Sequence, residues 1–340
     1  MFANRLQKRF RHLKKWAQRT DVNAFRLYDR DIPEIPLVLD FYGDAAQLKE
    51  AALSGALFKR PYEKDIKEEE TWLSEMKESA AIALEINPDQ IFIKQRQRQK
   101  GACQYEKLNG QQFTKIVNEN GLAFRVNLSD YLDTGLFTDR RLLRAMVRDE
   151  APGKKILNLF SYTGSFSVYA AAGKAFSTDS VDLSNTYHNW ARDNFSLNGL
   201  SANIIKNWDY FDHKNNLSSC HCTNNLIRSC VLEFINEAKN AKKRWDIIII
   251  DPPAFSNSKK MTGNFDLNRD LAELLSQCLK LLLPGGKIFV SVNVKRNAPT
   301  PEKLKAELKN AQITDLGDKI VDEDFKGKKT PKTFLITLKL

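Results

Sequence analysis

The sequence predicts an α/β protein: a mostly parallel sheet clothed by helices in its C-terminal part, preceded by a small α+β unit and a basic N-terminal helix. Three observations carry this. From residue 154 onward, short and continuously apolar strands alternate with helical stretches, the pattern of strands buried on both faces. Before residue 130 the strands are short, are punctuated by proline and glycine, and flank one charged helix. Residues 1–20 carry Arg5, Lys8, Arg9, Arg11, Lys14, Lys15 and Arg19 without one acid, while Leu6, Phe10, Leu13 and Ala17 recur at three- and four-residue spacing.

The 340 residues have room for two domains. At 42% hydrophobic and 10% aromatic, the chain can build a sizeable core and is not a disordered polymer. Its longest apolar runs, such as Ile247–Ile250 and Leu281–Leu283, fall far short of the ~20 residues that span a membrane. The opening MFANRLQKRF has no apolar stretch after its charges and does not read as a secretory signal. Five cysteines at irregular spacing argue against a disulfide framework and for a reducing, cytoplasmic setting. A net charge of +11 calls for an acidic partner.

The expected organisation is a basic helix over 1–22, a small α+β domain over 23–130 and the larger α/β domain over 131–340. In the small domain, strands are expected at Phe25–Asp29 and Leu37–Tyr42, with Gln47–Leu53 either a strand or a helical turn. A helix follows within 63–86, then strands near 91–95, 111–117 and 122–127. In the large domain, strands are expected at Lys155–Leu159, Phe176–Val181, Asn203–Ile205, Asp246–Ile250, Lys287–Val292, 313–321 and Thr333–Leu338. Helices fill 164–173, 185–198, 229–243, 265–283 and 301–311, and the Asn/Ser-rich stretch 207–226 reads as an extended surface loop.

Basic residues cluster in three places: the N-terminal helix, the stretch Lys94, Arg96, Arg98 and Lys100 after an apolar strand, and Arg140, Arg141, Arg144 and Arg148 at helical spacing. A single run is usually a solvated face. Three runs with a global excess of cations point to a phosphate backbone.

Ligands of open parallel sheets sit beyond the carboxyl ends of the strands. Here the first strand-to-helix turn is Asn158–Leu–Phe160–Ser–Tyr162–Thr163–Gly164, and the next strand ends in Asp182–Leu183, 18 residues after Gly164. A carboxylate there suits the hydroxyls of a ribose. With one glycine in the turn, the dinucleotide fingerprint is absent, which favours S-adenosylmethionine, a ligand without phosphate, over NAD. The four-isoleucine strand runs into Asp251–Pro252–Pro253–Ala254–Phe255. Two prolines remove two amide donors and leave carbonyls facing the cleft, and Phe255 is placed to stack on a planar base.

These residues resemble the guanine nitrogen-7 methyltransferase half, the K module, of the fused 23S ribosomal RNA methyltransferase K/L family. MFANRL, RLYDRDIPE, RQRQKG, VNLSDYLDTGLFTDRR, ILNLFSYTGS, VDLSNTY, LNGL, DIIIIDPPAFSNSKKM, FDLNRD and NVKRN carry the resemblance over nearly the whole length. It implies a class I S-adenosylmethionine-dependent methyltransferase domain, Rossmann-like, preceded by a strand-strand-helix-strand-strand domain. It also implies 23S ribosomal RNA, in the peptidyl-transferase domain V region, or a pre-ribosomal large-subunit particle as partner. By position, Phe160, Tyr162, Thr163 and Gly164, with Asn158, line the methionine end of the cofactor. Asp182 and Leu183 take the ribose, Asp139 and Arg141 close the pocket, Asp251 also contacts the cofactor, and Asp251, Pro252, Pro253 and Phe255 face the base. Arg5, Lys8, Arg11, Lys15, Arg96, Arg98, Lys100, Lys259, Lys260, Lys295 and Arg296 are the RNA-binding candidates. Two departures stand out. Where the family places an acid to meet adenine, IRSCVLEFI has Cys230, with Asp209 or Asp212 as substitutes. The family's upstream module, a methyltransferase for the guanine 2-amino group, has no counterpart in these residues, so the resemblance implies either a stand-alone enzyme, with that module as a separate partner, or a fragment of a fused one.

Guanine nitrogen-7 already has a lone pair, so its methylation needs no general base and chiefly requires alignment. A related 5-methylcytosine family uses a thiolate after its fifth strand, where this chain reads Val290–Ser–Val–Asn293–Val–Lys295–Arg296–Asn297. Cys278 reads as core. His213, Cys220, His221, Cys222 and Cys230 lack paired C-x2-C spacing, so no metal is expected. The alternatives are a guanine 2-amino methyltransferase and a non-catalytic RNA-binding or ribosome-assembly protein.

Overall fold

The computed structural model describes residues 1–60, 62, 64–95, 110, 112–211, 223–256, 265–294 and 298–339. They form two compact units, Met1–Thr138 with Asp322–Lys328, and Asp139–Val321 with Lys329–Leu340.

The first unit begins with α1 (Phe2–Arg19), followed by β1 (Ala24–Asp29), β2 (Leu37–Tyr42), β3 (Ala52–Leu57), α2 (Ile66–Leu84) and β4 (Ile91–Gln95). The sheet order is β1-β2-β3-β4. Neighbours β1, β2 and β3 are antiparallel, whereas β4 joins β3 in parallel because α2 is the crossover between them. The ambiguous 45–57 stretch resolves into both readings, a 3-10 turn at Leu48–Glu50 and then β3. Asp65 caps α2 by accepting from the backbone N–H groups of Lys67 and Glu68. β5 (Thr114–Glu119) and β6 (Leu122–Asn127) form a hairpin, its two-residue turn Asn120–Gly121 having φ of 53° and 78°.

α1 buries Phe2, Leu6, Phe10, Leu13, Trp16 and Ala17. Phe10 lies 5.3 Å from Phe41, which stacks on Phe25 at 4.9 Å. Each large side chain fully buried stabilises by roughly 1.5–3 kcal/mol, so the helix is held by this stripe while its cations face out. The segment Asp322–Lys328, expected with 131–340, groups instead with the first unit. Arg9 donates to the Glu323 and Asp324 carbonyls, and the Arg26 N–H donates to the Asp324 carboxylate at 2.9 Å.

The second unit contains α3 (Arg141–Glu150), β7 (Lys155–Leu159), α4 (Ser165–Ala172), β8 (Ser177–Asp182), α5 (Asn185–Leu197), β9 (Asn203–Lys206), α6 (Asn207–Phe211) and β10 (Asn224–Arg228). It continues with α7 (Val231–Asn240), β11 (Trp245–Ile250), β12 (Phe255–Ser256), β13 (Phe265–Asp266), α8 (Leu267–Leu279), β14 (Leu282–Val292), α9 (Pro301–Glu307), β15 (Ala311–Asp315) and β16 (Lys332–Leu338). The eight-stranded sheet is ordered β15-β16-β14-β11-β7-β8-β10-β9. β16 runs antiparallel to both β14 and β15, and the other pairings are parallel. Strand β11 shows why Ile247–Ile250 is an unbroken isoleucine run. Ile248 and Ile250 enter the core with Phe234, Leu271 and Leu275, whereas Ile247 and Ile249 join Leu143, Val147, Phe166 and Phe289 on the other face.

The expected strand Asn203–Ile205 is present as β9, on the sheet edge with β10 between it and β8. One expectation in this region needs correction. The 207–226 stretch is not one loop, since it starts with α6 and ends in β10. Only Leu226 and Ile227 are apolar in Asn224–Arg228, so the sequence hides the strand. α6 forms because Tyr210 and Phe211 pack on Phe234, with ring centroids 5.8 and 5.2 Å away. The Tyr210 hydroxyl also donates to buried Asp179 at 2.8 Å, as do Trp245 Nε1 and Asn225 Nδ2. Burial still pushes the Asp179 carboxyl above the usual range, against those three donors.

The third arginine cluster is also not a solvated face. Arg141 and Arg144 are 1% exposed and Arg140 is 6% exposed. Helix α3 packs on α4, so the Arg144 guanidinium lies 6.0 Å from the Phe166 ring and 5.7 Å from that of Tyr169.

Candidate cofactor and base site

Register alone brings the candidate residues together. Ile250, Leu159 and Val181 lie side by side as the last paired row of β11, β7 and β8. The next residues of those strands, Asp251, Phe160 and Asp182, therefore emerge at the carboxyl edge of three adjacent strands.

The turn after β7 is tightly wound. Phe160, Tyr162 and Gly164 have φ of 57°, 50° and 74°, a left-handed conformation that costs the two aromatic residues of order 1–3 kcal/mol each. The surroundings hold it: Phe160 packs on Phe265 at 5.4 Å and Tyr162 meets Tyr187 edge-on at 4.5 Å. Gly164 tolerates no side chain, since a Cβ there would sit 2.9 Å from the Cβ of Ala191 on α5. Thr163 is wholly buried, and its carbonyl accepts from Asn194 Nδ2 at 3.0 Å.

Asp182 Oδ2 accepts from the Tyr162 N–H at 3.0 Å and Oδ1 from the Ser184 N–H at 2.9 Å. Burial raises its carboxyl above the usual range, opposed by the Ser184 amide, His188 and the Tyr162 amide. His188, wholly buried on α5, pairs through Nε2 with the Asp182 carbonyl at 2.9 Å, while burial lowers the pKa of its ring. Leu183, next in the chain, is half-buried.

Asn158 is seated beneath the turn. Its Nδ2 donates to Ser167 Oγ at 2.9 Å, and Ser180 Oγ meets the same hydroxyl at 2.7 Å. The Asn158 Oδ1 and Ser161 Oγ atoms are buried without a protein partner among the described residues. One acceptor and one hydroxyl left unpaired fit the ammonium and carboxylate of an amino-acid moiety, as S-adenosylmethionine carries.

After β11, Pro252 is buried and Phe255 is 46% exposed, so this aromatic is not part of the core. Arg140, which the sequence groups with the basic run of α3, belongs to the site instead. Its Nε and Nη2 donate to Asp251 Oδ2 and Oδ1 at 3.2 and 2.9 Å, and its Nη1 donates to Asp139 Oδ2 at 2.6 Å. Burial alone would lower the guanidinium pKa, but Asp139 and Asp251 outweigh it and raise it. The only sequence signal was its place between the two motif residues Asp139 and Arg141.

Cys230 stands at the N-cap of α7 directly after β10, 5% exposed, with no side-chain cap bond. Asp209 lies within α6, while Asp212 falls outside the described residues. Of the RNA-binding candidates, Arg5, Lys8, Arg11 and Lys15 are exposed on α1, and Arg5 pairs with Asp31 at 2.9 Å. Arg96, Arg98, Lys100, Lys259, Lys260, Lys295 and Arg296 lie outside the described residues, as do His213, Cys220, His221 and Cys222. Among the described residues, no group of three His, Cys, Asp or Glu side chains is arranged to hold a metal, and no helix is long and apolar enough to cross a membrane.

Comparison with known proteins agrees with this architecture. Residues 39–218, more than half of the chain, match the family model for S-adenosylmethionine-dependent methyltransferases. The chain is 42% identical over 328 residues to ribosomal RNA large subunit methyltransferase K of Neisseria meningitidis serogroup B, covering 96% of this chain and 84% of the relative. It is 40% identical over 324 residues to ribosomal RNA large subunit methyltransferase K/L of Shewanella amazonensis, spanning 95% of this chain but only 41% of that longer protein. Among solved structures, a protein from Streptococcus mutans described as a S-adenosylmethionine-dependent methyltransferase has a TM-score of 0.69 at 23% identity, over 99% of this chain and 81% of its own. SMU.776, crystallised with SAH, has a TM-score of 0.70 at 24% identity and the same coverage. At such identities the structures speak for the fold alone. The chain belongs to the S-adenosylmethionine-dependent methyltransferases, in the family of ribosomal RNA large subunit methyltransferase K, and S-adenosylmethionine is its cofactor.

Proposed function

We propose that this protein methylates nitrogen-7 of a guanine in the domain V region of 23S ribosomal RNA, either as RNA or within a pre-ribosomal large-subunit particle. The carrying observation is the row formed by the β7 turn, Asp182 and Asp251 at three adjacent strand ends, followed by an exposed Phe255. The name of the Neisseria relative supports ribosomal RNA as substrate.

When bound, S-adenosylmethionine supplies an electrophilic methyl group on a sulfonium. Asp182 accepts the ribose hydroxyls, and Asn158 Oδ1 and Ser161 Oγ meet the amino-acid end. Phe255 stacks on the guanine, and the carbonyls around Pro252 and Pro253 hold its edge. Nitrogen-7 brings its own lone pair, so these residues need only orient it in line with the methyl group, the kind of positioning worth about 7–11 kcal/mol when complete. The basic face of α1, with Lys259, Lys260, Lys295 and Arg296, takes phosphates. The small unit acts in RNA binding.

Purified protein, labelled cofactor and 23S RNA test this reading. The expected product is a site cleaved after borohydride and aniline treatment, as 7-methylguanine is. A methylated product resistant to that treatment moves the assignment to the 2-amino group, and RNA binding without methyl transfer moves it to a non-catalytic role.

A further inference from the structure

We propose that Arg140 is a positioning residue that holds Asp251 against the base and competes with amine donors for its carboxylate, favouring a ring-nitrogen nucleophile. The inference rests on the nitrogen-7 reading above. Both oxygens of Asp251 accept from one guanidinium, at 2.9 and 3.2 Å. The two side chains are 15% and 7% exposed. A planar fork of this kind fixes the carboxylate in direction as well as distance.

The consequence follows from the chemistry of the two possible nucleophiles. An exocyclic 2-amino group has its lone pair delocalised into the ring, and its N–H protons must be accepted before it attacks. Asp251, first residue of the Asp-Pro-Pro turn, is a side-chain acceptor at that strand end, and Arg140 already occupies one acceptor position on each of its oxygens. Guanine nitrogen-7 needs no acceptor, but becomes positively charged as the methyl group arrives. Asp139 also binds Arg140, at 2.6 Å, so two carboxylates surround one guanidinium. That balance tempers a cation which would otherwise oppose the developing charge.

The test uses the full chain with Arg140→Gln and Arg140→Lys, reading kcat, KM for 23S RNA, cofactor affinity by calorimetry, melting temperature and product identity by nucleoside mass spectrometry. Arg140→Gln is expected to lower kcat on the order of 10- to 100-fold while KM and cofactor affinity stay within roughly threefold, because alignment and not binding is lost. Arg140→Lys, a single-point donor, should recover part of the rate, and 2-methylguanine should appear beside 7-methylguanine in the Arg140→Gln product. A wild-type kcat, or a fall matched by equal losses of cofactor affinity and melting temperature, overturns the proposal. Reduced kcat with 7-methylguanine as sole product supports positioning and overturns the competition with amines. If Arg140→Gln does not fold, Arg140→Lys carries the same comparison. Should the wild-type protein itself make 2-methylguanine, the nitrogen-7 reading fails first, a result distinct from any obtained with the variants.

Discussion

The backbone N–H of Tyr162 donates to Oδ2 of Asp182 at 3.0 Å, tying the turn after the first strand of the methyltransferase sheet to the end of the second. One carboxylate thus shapes the turn, and it is the group proposed to take the ribose. Asp182→Ala is expected to abolish measurable cofactor binding in calorimetry, since charge-assisted hydrogen bonds contribute roughly 1.5–3 kcal/mol each. Asp182→Asn, which keeps an acceptor oxygen, should lose less. Wild-type affinity in folded Asp182→Ala would remove the ribose assignment.

Gly164→Ala should fail for two separable reasons, a backbone φ of 74° and a contact of 2.9 Å with the Ala191 Cβ. A loss of roughly 1–3 kcal/mol is expected for a strained φ with overpacking. Adding Ala191→Gly relieves the contact but not the backbone, so denaturant titration should show partial rescue. Full rescue would mean that the contact alone matters.

Lys94 supplies a pH signature. Burial lowers its pKa to about 8 from 10.5, opposed by Asp133 and Asp130, and its ammonium donates to the Tyr131 carbonyl. Between those values the unfolded chain holds more of the proton, so stability should rise as pH climbs through the window. Below about 8 the cost of burying the charge is felt in full. Lys94→Gln should remove roughly 1–3 kcal/mol of that rise, measured by urea unfolding at pH 7.5 and 10.5 against wild type. Parallel pH profiles for the two proteins would show that Lys94 is not the group responsible.

Replacing all five cysteines with Ser or Ala should leave methyl transfer largely intact. Cys278 is wholly buried on α8, where burial pushes its thiol pKa far up, and β14 is followed by Asn293 and Val294 with no thiol. Trapping a covalent protein–RNA adduct would contradict this.

Neutralising Lys8, Arg11, Lys14 and Lys15 should weaken binding to all RNA sequences and flatten its salt dependence, because fewer counterions are released. Binding isotherms across a salt series measure the slope. An unchanged slope would make this face of α1 an ordinary solvated surface.

Much of the molecule was legible without coordinates because its signals are local. Periodicity marks α1, the run Ile247–Ile250 marks a strand covered on both faces, and the motifs around Phe160–Gly164, Asp182 and Asp251–Phe255 sit at strand ends by spacing alone. What the sequence alone determined, then, was the class of fold, the family resemblance and the residue types brought to the site. Three features needed the tertiary structure. The strand Asn224–Arg228 is too polar to read as β and exists because β8 and β9 pair with it on either side. Arg140 and Arg144 look like part of a solvated basic face, yet Asp139 and Asp251 draw the first inward and the aromatic rings of α4 the second. The grip of Arg140 on Asp251 joins residues 111 positions apart, and partner choice at that separation is decided by strand register and packing, which no local pattern encodes.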